Sequence, residues 1–303
     1  MNHTHLRSLC LGSSLLLLLG VTACAPAENF DNLEPEKASS KHLDQLQSWA
    51  LPSTEAEDAR RAFVSRCVSA RGGKYSEAQK DYSLQTSLRN GVDTDQLKEH
   101  GYLPAPTKEK KTPTYDARGL KAYTGNPAHG TKSVHFMELE SGEIAVDGCF
   151  AESLQYIYGS VEDGLKVAVL APQILQSVGE NVREDPAYKE VENSWGTCMK
   201  DHLDTDFTTF ESASDYALTL PQSQRVKVAQ TDAECRESNN VDSRVHDIEN
   251  TYFEAVYQRV KRFADDFEKI QQRSQENVVK DRENPQKSSP VEQAQPTDAT
   301  STS

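Results

Sequence analysis

Basic residues are scarce in this chain of 303 residues, which has 33 Lys and Arg against 47 Asp and Glu and a formal net charge of −14. This balance argues against nucleic-acid binding, because phosphates require clustered Lys and Arg. It also argues against electrostatic attachment to anionic lipid. With only 7% aromatic and 36% apolar residues, the chain predicts one domain of about 200 residues with a modest core and polar ends.

Motifs that identify common catalytic and metal sites are also missing. The sequence has no H-E-x-x-H, no G-x-S-x-G and no Walker or G-x-G-x-x-G loop in a usable context. It has no EF-hand spacing, and no alternation of strands and helices of the kind found in two-lobed solute receptors. We therefore expect no cofactor and no metal, and we favour a binding protein over an enzyme.

The leader is the most informative segment. Arg7 precedes an apolar run over residues 9–23 that contains five consecutive leucines. The run is too short to span a bilayer comfortably, which is typical of a secretory signal. It ends in Val-Thr-Ala-Cys at residues 21–24, which resembles a bacterial lipobox. The resemblance implies that Cys24 is lipidated and anchors the protein to the extracytoplasmic face of the cell membrane; the alternative is an ordinary cleaved signal with a chance cysteine.

Composition divides the chain into four parts. Residues 1–23 are the predicted lipoprotein signal peptide. Residues 24–53 are polar and predict the lipidated Cys24 and a flexible tether, with a short helix over 43–49 whose Trp49 docks on the core. Residues 54–275 predict a mainly α, disulfide-stapled extracytoplasmic domain, and residues 276–303 predict a disordered tail.

Helical periodicity recurs through the predicted domain. Thr54 and Glu57 form a capping-box pattern before the first helix. Asp185 followed by Pro186 predicts another helix start, and Pro172 predicts a kink or a restart. Other helices are predicted over 148–159, 164–178 and 221–235. Residues 80–132 predict loop with short elements, one of them a helix near 93–100, and residues 134–140 and 143–146 predict one short β-hairpin.

The last predicted helix is the longest, over residues 243–275. Its apolar residues recur every three or four positions, which predicts an amphipathic helix of about nine turns. We expect its apolar stripe to lie in the core; the alternative is that its far end projects and pairs with an envelope protein partner. The stripe consists of Val245, Ile248, Tyr252, Val256, Val260, Phe263, Phe267 and Ile270.

The cysteines that follow the leader predict two structural disulfides. Cys10 lies in the signal, which leaves Cys67, Cys149, Cys198 and Cys235 beside the lipidated Cys24. An even number in an exported chain is typical of disulfides, with three connectivities open. The lack of C-x-x-C and of closely spaced pairs argues against redox-active and zinc sites.

A weak internal duplication favours one of the three connectivities. Residues 63–76 and 194–208 each place an aromatic residue before a helical cysteine. Each segment is followed later by an acidic and small-residue stretch that contains a second cysteine and is predicted to open a helix. If the two halves are repeats, the bridges are Cys67–Cys149 and Cys198–Cys235.

Four motifs together resemble a family of secreted actinobacterial lipoproteins. They are VTAC at 21–24, DGCFAE at 147–152, WGTCM at 195–199 and VAQTDAEC at 228–235. The resemblance implies a mainly helical fold and carries no assigned activity.

Three side chains are the sequence's candidates for special chemistry. His202 lies one turn from Cys198, and we expect it to pack near a bridge rather than to bind metal. His135 could meet Glu138 or Glu140, although an exposed strand position is the simpler account. Asp232 is expected to cap a helix or to accept hydrogen bonds in the core.

These observations predict an envelope lipoprotein that serves as a binding or scaffold module, associated with a transporter or with the cell wall. The first alternative is an envelope hydrolase whose Asp and Glu carboxylates converge in one cleft with raised pKa values. The second alternative is a solute-binding receptor.

Overall fold

The computed structural model describes Phe30 and residues 32–76, 84, 94–102, 114–136 and 139–285. Cys24, the predicted signal peptide and residues 286–303 lie outside the described residues. Within them the predicted mainly α class is confirmed. The helices are α1 (Ser40–Ala50), α2 (Thr54–Ala70), α3 (Thr94–His100), α4 (Ala117–Thr124), α5 (Cys149–Tyr158), α6 (Val161–Glu184), α7 (Pro186–Leu203), α8 (Phe210–Leu218), α9 (Gln222–Ser238), α10 (Val241–Val260) and α11 (Ala264–Glu283).

The chain joins the fold inside the segment predicted as a tether. Phe30 and Leu33 are buried, and Asn181 of α6 holds their backbone. The Leu33 N–H donates to Asn181 Oδ1 at 2.8 Å, and Asn181 Nδ2 donates to the Phe30 carbonyl at 3.2 Å. α1 then buries Trp49, as predicted. Phe30, Leu33 and Trp49 are therefore core residues. The polar average composition of the segment gives no indication of this role.

The first disulfide joins α2 to α5. α2 begins after Ser53, whose Oγ accepts the N–H of Ala56 at 3.1 Å, so the helix cap lies one residue before the predicted Thr54. Cys67 is bonded to Cys149, the first residue of α5, with their Cα atoms 5.8 Å apart. α4 packs against both helices, and the bridge lies in a small apolar cluster that the three helices share.

α4 is one short element of the segment 80–132, for which the sequence predicts loop with short elements without locating this helix. Asp116 caps this helix by accepting the N–H of Gly119 at 2.6 Å. The helix has only eight residues, so it completes about two turns and offers too few apolar positions to establish a period. The predicted short helix near 93–100 is confirmed as α3.

The predicted pairing of residues 134–140 with 143–146 is wrong. Thr131–Lys132 pairs with Ile144–Ala145, and His135–Phe136 pairs with Leu139–Glu140, both antiparallel. A third ladder joins Tyr75–Ser76 to Thr114–Tyr115. Strands of two residues contain too little alternation to fix a register from pattern alone.

The second disulfide joins α7 to α9. α7 begins as predicted, because Asp185 accepts the N–H of Ala187 at 2.7 Å and Pro186 occupies the first helical position. Cys198 is bonded to Cys235, with their Cα atoms 5.7 Å apart. α3 and α8 both pack on α9. α6, which precedes this group, runs through Pro172 as one helix of 24 residues.

The predicted long C-terminal helix is confirmed from Val241 to Glu283, with a 3₁₀ turn at Lys261–Phe263 between α10 and α11. α10 packs on α1, α6, α7 and α9, and α11 packs on α1, α2 and α5. The apolar stripe therefore lies in the core. The helix continues past residue 275 because Asp281 accepts hydrogen bonds from Arg66 at 2.7 Å and from the Tyr156 hydroxyl at 3.0 Å.

None of the helices in the described ranges combines the length and hydrophobicity that a bilayer span requires.

Candidate functional site

A groove of about 680 Å³ lies where the junction of α1 and α2 faces α11. We call it the polar groove. Its volume is within the range of ligand pockets, but its lining is dominated by hydrogen-bonding side chains. The lining consists of Asp44, Gln47, Ser48, Trp49, Leu51, Pro52, Ser53, Thr54, Glu268, Gln271, Gln272 and Gln275.

The glutamines of the polar groove divide into structural and available ones. Gln271 Nε2 donates to the carbonyl oxygens of Trp49 at 3.3 Å and Leu51 at 3.4 Å, which holds α11 against the α1–α2 junction. The side chains of Gln47 and Gln275 form no hydrogen bond to other described residues. A free primary amide offers two donors and an acceptor. The polar groove therefore offers partners to a ligand rich in amide or hydroxyl groups.

Two carboxylates, Asp44 and Glu268, also line the polar groove. The carboxyl groups with raised pKa lie elsewhere in the described part of the chain. Burial raises the pKa of Glu152 on α5, although the charge of Arg71 and its hydrogen bond oppose the shift. Burial also raises the pKa of Glu192 on α7, although a hydrogen bond from the Phe210 N–H opposes that shift. Glu152 and Glu192 lie on different helices, and neither lines the polar groove.

Asp232 is a hydrogen-bond acceptor in the core, which confirms the second of its two predicted roles. Its side chain accepts the indole N–H of Trp195 at 2.7 Å, Arg236 Nε at 2.8 Å and the Tyr102 hydroxyl at 3.0 Å. Asp232 is fully buried and Arg236 nearly so. Burial, together with the Asp232 charge, raises the pKa of Tyr102, so its hydroxyl stays a donor. The arrangement ties α9 to α7 and to the residues after α3.

The WGTCM motif supports the second disulfide from the side of α7. A Cβ on Gly196 would lie 2.4 Å from the carbonyl oxygen of Phe207. Any residue other than glycine would therefore clash with the Phe207 backbone. Met199 is fully buried. Cys235 lies near the end of α9. The duplication predicts it at the start of a helix, which is where Cys149 lies. The favoured connectivity is confirmed although the two halves differ in this respect.

The DGCFAE motif supports the first disulfide. Glu152 Oε1 accepts Arg71 Nη2 at 2.6 Å, and Arg71 Nη1 donates to the carbonyl oxygen of Asp147, also at 2.6 Å. Arg71 ends α2 and Asp147 precedes α5. The arginine therefore crosslinks the same two helices as the bridge between Cys67 and Cys149.

The histidines are dispersed over the described structure. His202 is exposed, and one of its ring nitrogens lies within 4.8 Å of both sulfur atoms of the Cys198–Cys235 bridge. Because those sulfurs are bonded to each other, they cannot act as thiolate ligands. His135 is exposed and opposite Glu140 in the β ladder. The other four described histidines each have a different partner: His42 has Glu254, His100 has Glu99, His129 has Asp147 and His246 has Asn250.

The polar groove is the feature that the sequence analysis missed. Gln271 and Gln275 are one helical turn apart on α11, so their common face is readable from the sequence. The position of the α1–α2 junction opposite that face depends on tertiary packing, so it cannot be read from the sequence.

No family model, no curated protein and no solved structure matches this chain. The resemblance to actinobacterial lipoproteins stays a prediction.

Proposed function

We propose that the protein is a lipid-anchored module of the cell envelope that binds a polymer rich in amide and hydroxyl groups, of the peptide and glycan type found in cell walls, in the polar groove. The observation that carries the binding part is the groove itself, with the solvent-accessible amides of Gln47 and Gln275, which form no hydrogen bond to other described residues. Peptide amides and sugar hydroxyls both match groups that donate and accept hydrogen bonds.

Export is supported by two independent features. The leader ends in the lipobox pattern at Cys24, and the four remaining cysteines pair in two disulfides. Disulfides persist in oxidising compartments outside the cytoplasm. Two or three acyl chains on one cysteine would hold a domain at a membrane stably without a spanning helix.

The Cys24→Ala variant should lose its lipid and leave the membrane fraction. We expect the parent protein, expressed in a bacterial host, to incorporate radioactive palmitate and to accumulate as a larger precursor when globomycin blocks the lipoprotein signal peptidase. The Cys10→Ala variant is the matched control, because Cys10 lies in the leader and should leave labelling intact. Normal processing under globomycin, or undiminished labelling of the Cys24→Ala variant, would refute the anchor.

The Gln47→Ala/Gln275→Ala variant should bind soluble muropeptides about tenfold more weakly than the parent. Two lost hydrogen bonds of about 0.5–1.5 kcal/mol each support this magnitude. Isothermal titration calorimetry with lysozyme-released muropeptides measures it. The Gln224→Ala variant is the matched control, because Gln224 is an exposed glutamine on α9, outside the groove.

Two results would overturn the assignment to the polar groove. One is an affinity that does not differ between the parent and the double variant, and the other is an equal loss in the Gln224→Ala control. Release of new reducing ends from the muropeptides that disappears in the Glu268→Gln variant would favour the hydrolase alternative instead. The solute-receptor alternative gains no support from a fold whose described strands form only two-residue antiparallel ladders.

A further inference from the structure

A second cleft, of about 340 Å³, lies between the end of α2, the helix α4 and the loop before α5. We call it the basic cleft. In a chain with a formal net charge of −14, its lining holds three permanent cations and a histidine against one carboxylate. It is lined by Arg71, Arg118, Lys121, Ala122, Gly125, Asn126, His129 and Asp147. It shares no lining residue with the polar groove.

The single carboxylate in the basic cleft is already engaged. Asp147 Oδ1 accepts the N–H of Asn126 at 2.7 Å, and Oδ2 lies 2.6 Å from His129 Nδ1. Burial alone would raise the pKa of Asp147, but these two hydrogen bonds, together with the charge interaction with His129 and a hydrogen bond from the Asp147 backbone, hold the pKa below its ordinary value. Because an ionised carboxylate can only accept a hydrogen bond, His129 donates from Nδ1. The other ring nitrogen, Nε2, lies 3.3 Å from Asn126 Nδ2.

The loop that carries these groups is rigidly placed. Gly125 has φ +75°, and a Cβ there would lie 2.4 Å from Asp147 Oδ1, so a side chain is excluded. Arg71 is fixed by its bonds to Glu152 and to the Asp147 carbonyl. The floor of the basic cleft is therefore preorganised, which reduces the entropy that a bound ligand must overcome.

Two cations of the basic cleft form no direct ion pair with other described residues, although the charge of Arg118 contributes to lowering the pKa of the neighbouring Asp116. Arg118 and Lys121 are exposed on α4, and neither forms an ion pair within the described part of the chain. The guanidinium presents a planar fork that matches phosphate or carboxylate oxygens, and the ammonium adds a point charge. Two free cations match the two charges of a phosphate monoester, whereas a carboxylate neutralises only one.

We propose that the basic cleft binds the phosphate group of a small organic phosphate through Arg118 and Lys121. The volume is at the lower end of small-ligand pockets, which leaves room for a short organic part beside the phosphate. The site is independent of the proposed function, because it uses neither the polar groove nor the lipid anchor.

Calorimetric titration of the detergent-purified, oxidised protein with glycerol 3-phosphate tests this proposal. We expect saturable binding, and an affinity at least about tenfold lower in the Arg118→Gln/Lys121→Gln variant, since each removed contact is charge-assisted. The Lys269→Gln variant is the matched control, because Lys269 is an exposed lysine on α11 that does not line the cleft. Unchanged melting temperatures would show that the variants remain folded.

The source of the phosphate is decided by two further probes. Inorganic phosphate that binds as tightly as the ester, with the same loss in the double variant, would assign the site to free phosphate and overturn the organic ligand. Flotation with phosphatidylcholine vesicles containing phosphatidic acid tests a lipid headgroup, using the Cys24→Ala protein so that the anchor cannot contribute. Absence of glycerol 3-phosphate binding at millimolar concentration, or binding that the double variant retains, would refute the site.

Discussion

Removal of both disulfides is expected to lower the free energy of unfolding by about 8 kcal/mol in the loop-entropy model. The Cys67–Cys149 bridge closes a separation of 82 residues, and the same relation assigns it about 4.5 kcal/mol. The Cys198–Cys235 bridge closes 37 residues, which corresponds to about 3.8 kcal/mol. Natural domains are stable by only about 5–15 kcal/mol, so the variant with all four cysteines changed to alanine should be largely unfolded or marginal.

Urea unfolding followed by tryptophan fluorescence measures this loss. The two single-bridge variants should lose about half the total each, and their losses should add, because the bridges join different pairs of helices. Mild reductant should open Cys198–Cys235 first, since Cys198 is partly exposed whereas Cys67 and Cys149 are fully buried. A four-cysteine variant with the parent's unfolding midpoint would contradict the prediction, as would recovery of a Cys67–Cys198 peptide from a non-reduced digest.

The elements that sequence predicted well are those with long apolar periods or distinctive terminal residues. Asp185 followed by Pro186 identified the start of α7 correctly, because an N-cap acceptor and a proline at the first helical position act locally. The long C-terminal helix was predictable because its stripe repeats over many turns. Disulfide connectivity came from the duplication rather than from geometry, and it is correct although Cys149 begins a helix and Cys235 lies near the end of one.

The elements that sequence missed depend on contacts across the fold. Phe30 and Leu33 lie in a segment of polar composition, and only the packing against α6 makes them core residues. The last turns of α11 persist because Arg66 and Tyr156 bind Asp281, and no local signal announces those partners. The polar groove and the basic cleft likewise bring together residues from separate helices, so the sequence alone showed neither site.

Truncation of the chain after Ile248 is expected to abolish the fold. It removes the end of α10 and all of α11, with buried side chains that contact both halves of the helical domain. Each fully buried apolar side chain contributes about 1.5–3 kcal/mol, so the loss exceeds the total stability of about 5–15 kcal/mol. Far-UV circular dichroism should show helicity well below that of the remaining residues in the parent. The main buried apolar residues removed are Tyr252, Phe253, Val256, Val260, Phe267, Ile270 and Val278.

Point variants separate a core role of this helix from a projecting one. Phe267 is 1% exposed, and Phe267→Ala should lower the free energy of unfolding by about 3–5 kcal/mol. Val279 on the same helix is 51% exposed, and Val279→Ala should change it by less than about 0.5 kcal/mol. A truncated protein that keeps a cooperative melt and a Phe267→Ala variant of unchanged stability would together show that the stripe serves a partner. The packing of Phe267 against Trp49 and Phe136 argues that a partner helix could reach the stripe only by displacing the protein's own core.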